Sequence, residues 1–156
     1  MSELAQARRV MSGLEYMRKL VAGELESSPM ARLLNIRIVE VDAGRVVVTG
    51  EPSPEFENGL RIAHGGFAAA LLDTALGCAV NSVMPAGKVF TTLEMKINFT
   101  RAVTLKTGTL TCTANIVHAG SRTATAEGRI VDAAGGVYAH GTATCILFRD
   151  TTTEES

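Results

Sequence analysis

The chain has 156 residues, 46% of them hydrophobic and 20% charged, which favours one compact domain with its own core and excludes intrinsic disorder. Fifteen Lys and Arg against sixteen Asp and Glu leave a formal charge of −1, too balanced for a basic nucleic-acid footprint or an electrostatic membrane binder. The three widely spaced cysteines, Cys78, Cys112 and Cys145, form neither a disulfide framework nor a metal knuckle and read as small buried hydrophobes in a reducing compartment.

The first twenty residues, MSELAQARRVMSGLEYMRKL, mix charge through their apolar side chains and contain no signal-peptide hydrophobic stretch. The longest apolar stretch, residues 67–84, is interrupted by Asp73, Thr74, Asn81 and Ser82 and falls at the short edge of a membrane span. Both features point to a soluble, cytoplasmic protein with no membrane partner. Apolar residues recur at helical spacing from Leu4 through Met11, Leu14 and Leu20 to Leu25, predicting one amphipathic helix over 3–26 that Ser27, Ser28 and Pro29 stop. Residues 1–29 are therefore expected to form an N-terminal helical extension.

The β-branched runs IRIVEV and RVVVT flank Asp42-Ala43-Gly44 and predict a hairpin over 36–49. Residues 52–63, with two prolines and a glycine, read as a loop. A second helix is expected from Gly65 or Gly66 to Met84, ended by Pro85-Ala86-Gly87. Period-two alternation then predicts four strands near 88–100, 104–118, 121–133 and 136–149, and a frayed tail over 150–156. The second helix is apolar nearly all round, so it must be enclosed. The expected architecture is α+β: an antiparallel sheet of five to six strands wrapped around a central helix, over residues 30–149. Such a sheet has two edges, and a dimer that hides one of them or buries part of the central helix is expected.

The chemistry concentrates in residues 58–77. Asp73 is the only charged side chain between His64 and Lys88, in mid-helix, where propensity does not favour it. One turn away lie Gly66, Ala69, Ala70, Leu76 and Gly77, mostly small, so a ligand or a second chain can approach the carboxylate. Pairing with a buried Arg or backbone amides is the purely structural alternative. Gly65 and Gly66 stand where the helix should begin, with backbone N–H groups that have no intrahelical acceptor and the positive end of the helix dipole behind them. Such donors hold a carbonyl oxygen that gains negative charge; a tight loop-to-helix turn is the plainer explanation of the glycines. His64 reads as a structural residue of the helix start ahead of an acid–base role. His118 reads as an exposed turn residue, and His140 as a satisfied or exposed strand residue. None has a metal-ligand partner at a suitable spacing, and no metal or cofactor is expected.

His64-Gly65-Gly66 followed by Asp73 and Gly77 resembles the HGG…D…G signature of hotdog-fold acyl-CoA thioesterases, in particular the phenylacetate-pathway (PaaI-like) branch. The likeness extends over roughly residues 30–149 and includes Asn58, six residues before His64. It implies a hotdog fold and hydrolysis of an aryl- or medium-chain acyl-CoA to free acid and CoA, with CoA entering as part of the substrate. It implies Asp73 as general base or nucleophile, the Gly65 N–H as the group polarising the thioester carbonyl, and Gly66 as a helper. Asn58 corresponds to a polar residue near the reacting water or carbonyl, and Thr92 to a hydroxyl that orients that water. It also implies a homodimer with interfacial active sites, Asp73 of one subunit facing Asn58 and Gly65 of the other, and pairing of dimers into a homotetramer. Arg61, Lys88, Arg101 and Arg122 are the candidates for the CoA phosphates.

Two other functions fit the fold. A hydratase needs an Asp-x-Asn-x-x-His pattern that this chain lacks. A non-catalytic acyl-CoA-binding or sensor protein usually carries a DNA-reading helix pair and basic charge, whereas this chain offers a single extra helix and a charge of −1.

Overall fold

The computed structural model describes residues 10–149. Helix α1 (Gly13–Val21) and the short helix α2 (Pro29–Leu33) precede the hairpin β1 (Ile36–Asp42) and β2 (Arg45–Gly50). Helix α3 (Gly65–Asn81) follows, and then β3 (Lys88–Phe99), β4 (Leu110–Ala119), β5 (Thr123–Val131) and β6 (Val137–Arg149). The six strands form one antiparallel sheet in the order β1-β2-β4-β5-β6-β3, so β1 and β3 are its edges. This is the α+β arrangement of a sheet around a central helix expected from the sequence pattern, and the hotdog fold that the resemblance implies.

The sheet closes on α3 through its inward-facing residues. Leu71, Leu72, Ala75, Leu76, Ala79 and Val80 of the helix are fully buried, as are Val46, Val48, Cys112, Ala114, Ala126, Ile130 and Cys145 from the strands. The small side chains of β4 to β6 let the sheet come close to the helix. At Gly128 and Gly141, which pair directly across β5 and β6, an added Cβ would meet Leu72 at 3.1 and 3.0 Å.

Two elements differ from the sequence expectation. The N-terminal helix does not run unbroken over 3–26: Met11 and Ser12 are not helical, and Ser12 and Glu15 form a capping box that starts α1 afresh. The part of that expectation over residues 3–9 lies outside the described residues. Helix α1 also stops at Val21, with Gly23 at φ 74° beyond it. Ser28 and Pro29 do not end a helix but begin one, as N-cap and first residue of α2. The buried side of α1 is Gly13, Tyr16 and Met17, while Val21 is exposed.

The strand expected at 104–118 begins only at Leu110. Residues 105–107 form a 3₁₀ turn capped by Thr104 and Thr107, and Gly108 at φ 70° turns the chain out of strand geometry. Thr104, Leu105 and Thr107 mimic alternation, but the Thr104 and Thr107 hydroxyls serve the turn.

Helix α1 docks on the end of α3 by backbone contact. The Gly13 N–H donates to the Met84 carbonyl at 2.9 Å, and a Cβ at Gly13 would overlap the Asn81 carbonyl. That obstacle is backbone and cannot swing aside. Gly13→Ala is therefore expected to cost about 1–3 kcal/mol, read as a lower midpoint in urea unfolding with circular dichroism.

Candidate active site

Helix α3 begins at His64, whose ring acts as the N-cap: Nδ1 accepts from the Gly66 N–H at 3.0 Å. The His64 carbonyl accepts from the Phe67 N–H at 2.9 Å, and its own N–H donates to the Phe56 carbonyl at 2.7 Å. His64 therefore has the structural role read from its position. Its capping also separates the two glycines. The Gly66 N–H is taken, whereas the Gly65 N–H has no acceptor among the described residues and is exposed. The donor aimed outward at the positive end of the helix dipole is thus Gly65.

Gly65 opens onto a cavity of about 350 Å³ that Asn58, His64, Phe99, Arg101 and Tyr138 also line. Asn58 shapes this wall through its own loop: its Oδ1 accepts from the Leu60 N–H at 2.8 Å and its carbonyl accepts from the Arg61 N–H at 3.0 Å. Of the four basic residues considered for phosphate binding, Arg101 is the one at this cavity. Its guanidinium stands 5.3 Å from the Tyr138 ring centroid and 3.9 Å from the Asp132 carboxylate. The Gly136 N–H, donating at 2.7 Å, holds the Asp132 carboxyl below the usual carboxylate range, with Tyr138, Ala134 and Arg101 adding to it against partial desolvation. Asp132 thus remains an anion that positions Arg101.

Asp73 and Thr92 form a second group. The Thr92 hydroxyl donates to Asp73 Oδ1 at 3.0 Å, bringing together two residues from different elements that the sequence had singled out separately. Strand β3 aims Thr92 at the helix with a bulge: Thr92 pairs with Cys145 and Glu94 with Thr144, leaving Leu93 over, 58% exposed. Asp73 itself is exposed in the single chain, which corrects the expectation of a carboxylate enclosed with its helix. Helix α3 is covered on the sheet side, and its Gly65–Gly66–Asp73 side faces outward.

Gly77 also acquires a role. A Cβ there would meet the Phe90 ring at 3.0 Å, so glycine lets Phe90 lie on the helix one turn beyond Asp73. Sequence reasoning missed Phe90 as a site neighbour, because its placement depends on the β3 register. It also missed Cys145, opposite Thr92. Burial pushes the Cys145 thiol up, the Asp73 and Glu94 charges adding to it against a hydrogen bond from Thr92. Burial likewise pushes Cys112 up to about 12. Both stay neutral thiols near pH 7, and neither supplies a thiolate nucleophile.

The two groups stand apart. Along α3, the eight residues from Gly65 to Asp73 rise about 12 Å. Neither Asp73 nor Thr92 lines the cavity that holds Gly65 and Asn58. Among the described residues no group of His, Cys, Asp and Glu is placed to hold a metal ion, and no helix is long and apolar enough to cross a membrane.

Comparison with known proteins bears on the family and the fold. The family model of the thioesterase superfamily matches residues 60–139, which contain Gly65, Asp73 and Thr92. No curated protein matches the chain in sequence. Among solved structures, the PaaI protein of the E. coli phenylacetic acid degradation operon is similar at 28% identity and TM-score 0.76, over 88% of this chain and 96% of its own. A phenylacetic acid degradation-related protein from Ralstonia eutropha is similar at 26% identity and TM-score 0.77, over 84% of this chain and 98% of its own. A thioesterase protein from Streptococcus pneumoniae, solved with coenzyme A, is similar at 29% identity and TM-score 0.67, over 74% of this chain and 87% of its own. A family match over half of the sequence, on a sheet and helix shared with these structures, shows that the chain belongs to the thioesterase superfamily, as a PaaI-like thioester hydrolase of hotdog fold.

Proposed function

We propose that the protein hydrolyses acyl-CoA thioesters to the free acid and CoA, at two sites formed between the subunits of a homodimer. The observation that carries this reading is the separation of Asp73 from Gly65 along one helix. A carboxylate and an oxyanion donor acting on one carbonyl must both lie about 3 Å from the reacting atoms. A rise of about 12 Å between them prevents one chain from supplying both. A second copy of the chain resolves this if Asp73 and Thr92 of one subunit face Gly65 and Asn58 of the other. The unpaired edge of β3, where Leu93 and Phe99 are 58% and 54% exposed, is the surface proposed for that contact. The outer sheet face, lined by Lys96, Glu127 and Arg129, is left for pairing dimers into a tetramer.

In this arrangement the thioester oxygen takes the Gly65 N–H at the helix N-terminus, which stabilises negative charge as the carbonyl carbon is attacked. Thr92 occupies Asp73 Oδ1, leaving Oδ2 to act. Asp73 either attacks the carbon itself, giving a mixed anhydride that water opens, or takes a proton from the attacking water. In both courses the C–S bond breaks, CoA leaves as the thiolate and is protonated, and the acyl group ends as the free acid. Arg101, held by Tyr138 and Asp132, is the cation available to a CoA phosphate beside the Gly65 cavity. The coenzyme A bound to the S. pneumoniae relative supports this class of substrate.

The test is release of free thiol from a panel of aryl- and alkyl-CoA esters, followed with a chromogenic thiol reagent. Ester-dependent release is expected. Binding of the same esters without release would favour an acyl-CoA-binding or sensor role instead.

A further inference from the structure

A second, smaller cavity of about 110 Å³ lies between the N-terminal helices and α3. Met17 and Leu20 of α1 and Ala31 of α2 form its outer wall, and Thr74 and Asn81 of α3, with Phe90 of β3, form its inner side. Phe90 and Thr92 project from the same face of β3, Thr92 bonds Asp73, and Phe90 rests over Gly77 one turn further along α3. Asp73 and Thr92 do not themselves line the cavity; its links to them are Thr74, next to Asp73 on α3, and Phe90, on the same face of β3 as Thr92. Its polar residues are not equally satisfied. The Thr74 hydroxyl donates to the Ala70 carbonyl at 2.8 Å. The Asn81 side chain, in a residue only 8% exposed, has no hydrogen-bond partner among the described residues. Natural structures rarely leave a buried carboxamide unpaired.

We propose that this chamber receives the acyl group of the thioester, that α1 and α2 set the length it admits, and that Asn81 hydrogen-bonds a polar substituent at the far end of the acyl chain. This rests on Asp73 being the reacting carboxylate. Apolar cavities of roughly 150 Å³ accept a six-carbon ring, so this one accommodates about four or five carbons beyond the carbonyl. The preferred acyl group therefore has about six carbons in all, at the short end of the medium-chain range. The chamber belongs to the subunit that supplies Asp73, while the CoA portion extends toward the Gly65 cavity of the other subunit.

The test compares butyryl-, hexanoyl-, octanoyl- and 6-hydroxyhexanoyl-CoA with wild type, Leu20→Ala, Ala31→Leu and Asn81→Leu, by kcat/KM. In parallel, calorimetry measures binding of the matching non-hydrolysable thioether analogues. For wild type, kcat/KM is expected to fall about tenfold or more from hexanoyl to octanoyl. Leu20→Ala should move the optimum to octanoyl, and Ala31→Leu should move it to butyryl. Asn81→Leu should remove a preference for 6-hydroxyhexanoyl over hexanoyl that wild type shows. Because the two size variants act in opposite directions, a common loss of folding cannot produce this pattern. Hydrolysis with a length profile that none of the variants moves would overturn the chamber and leave the thioesterase reading intact. Absence of hydrolysis, with thioether affinities that still follow the expected lengths, would overturn the proposed reaction and leave the chamber standing.

Discussion

Asp73→Asn is expected to lower kcat/KM toward acyl-CoA by about 10²–10⁴-fold, with the unfolding midpoint and the oligomer size unchanged. Asn keeps an oxygen to accept from the Thr92 hydroxyl, so the local hydrogen bond of 3.0 Å survives. What disappears is the anionic oxygen, which both the nucleophilic and the general-base courses require. Asp73 is exposed in the single chain, and Thr92 is its hydrogen-bond partner among the described residues, so its replacement leaves the core of α3 untouched. Thiol release by wild type and variant, each checked by circular dichroism and gel filtration, measures the effect. Equal rates would remove Asp73 from the mechanism.

Gly65→Pro addresses the other half of the site and is expected to cost about 10²–10³-fold in kcat, as loss of an oxyanion donor does elsewhere. Proline deletes the backbone N–H while suiting the first position of a helix, where that group has no intrahelical partner. His64 at φ −57° and ψ 139° already has the extended conformation that a following proline demands. The nearest obstacle to a side chain at Gly65 is the Phe99 ring, 3.3 Å from an added Cβ, which a shift of a few tenths of an ångström at the end of that side chain relieves. Stability should therefore hold while turnover falls. A variant with full activity would show that the Gly65 N–H does not touch the reacting oxygen.

Much of the fold was legible because its signals are periodic. The alternation of β1 and β2 around Asp42-Ala43-Gly44 and the continuous apolar character of α3 each admit one structural reading. The two longest strands, β3 and β6, match their expected limits to within a residue. The errors fall where side-chain chemistry competes with period. Ser12 and Glu15 cap a new helix inside a stretch whose apolar spacing continues through them. Thr104 and Thr107 spend their hydroxyls on a turn that looks like alternation in the sequence.

The candidate site was legible as a set of residues more than as a geometry. His64, Gly65 and Asp73 carry recognisable chemistry at recognisable spacing, whereas the hydrogen bond from Thr92 to Asp73 is a finding of the structure. The resemblance already ranked Gly65 ahead of Gly66, but the reason was not legible, because it lies in the His64 ring accepting the Gly66 N–H. The chamber behind Phe90 was not legible either. It is built from residues as distant in sequence as Met17, Asn81 and Phe90, and no local pattern records their meeting.

The account stands on one claim above the others, that each active site is shared between two subunits. Co-expression of Asp73→Asn and Gly65→Pro chains, each nearly inactive by itself, tests it most directly. In a mixed dimer, the Gly65→Pro chain supplies an intact Asp73 to the intact Gly65 of its partner, and one of the two sites works. Random pairing then restores about a quarter of the wild-type rate per subunit, since half of the dimers are mixed and each carries one whole site. Recovery near that level is the predicted result. A mixture no more active than its two separate components would mean that Asp73 and Gly65 serve the same site within one chain, contradicting the account.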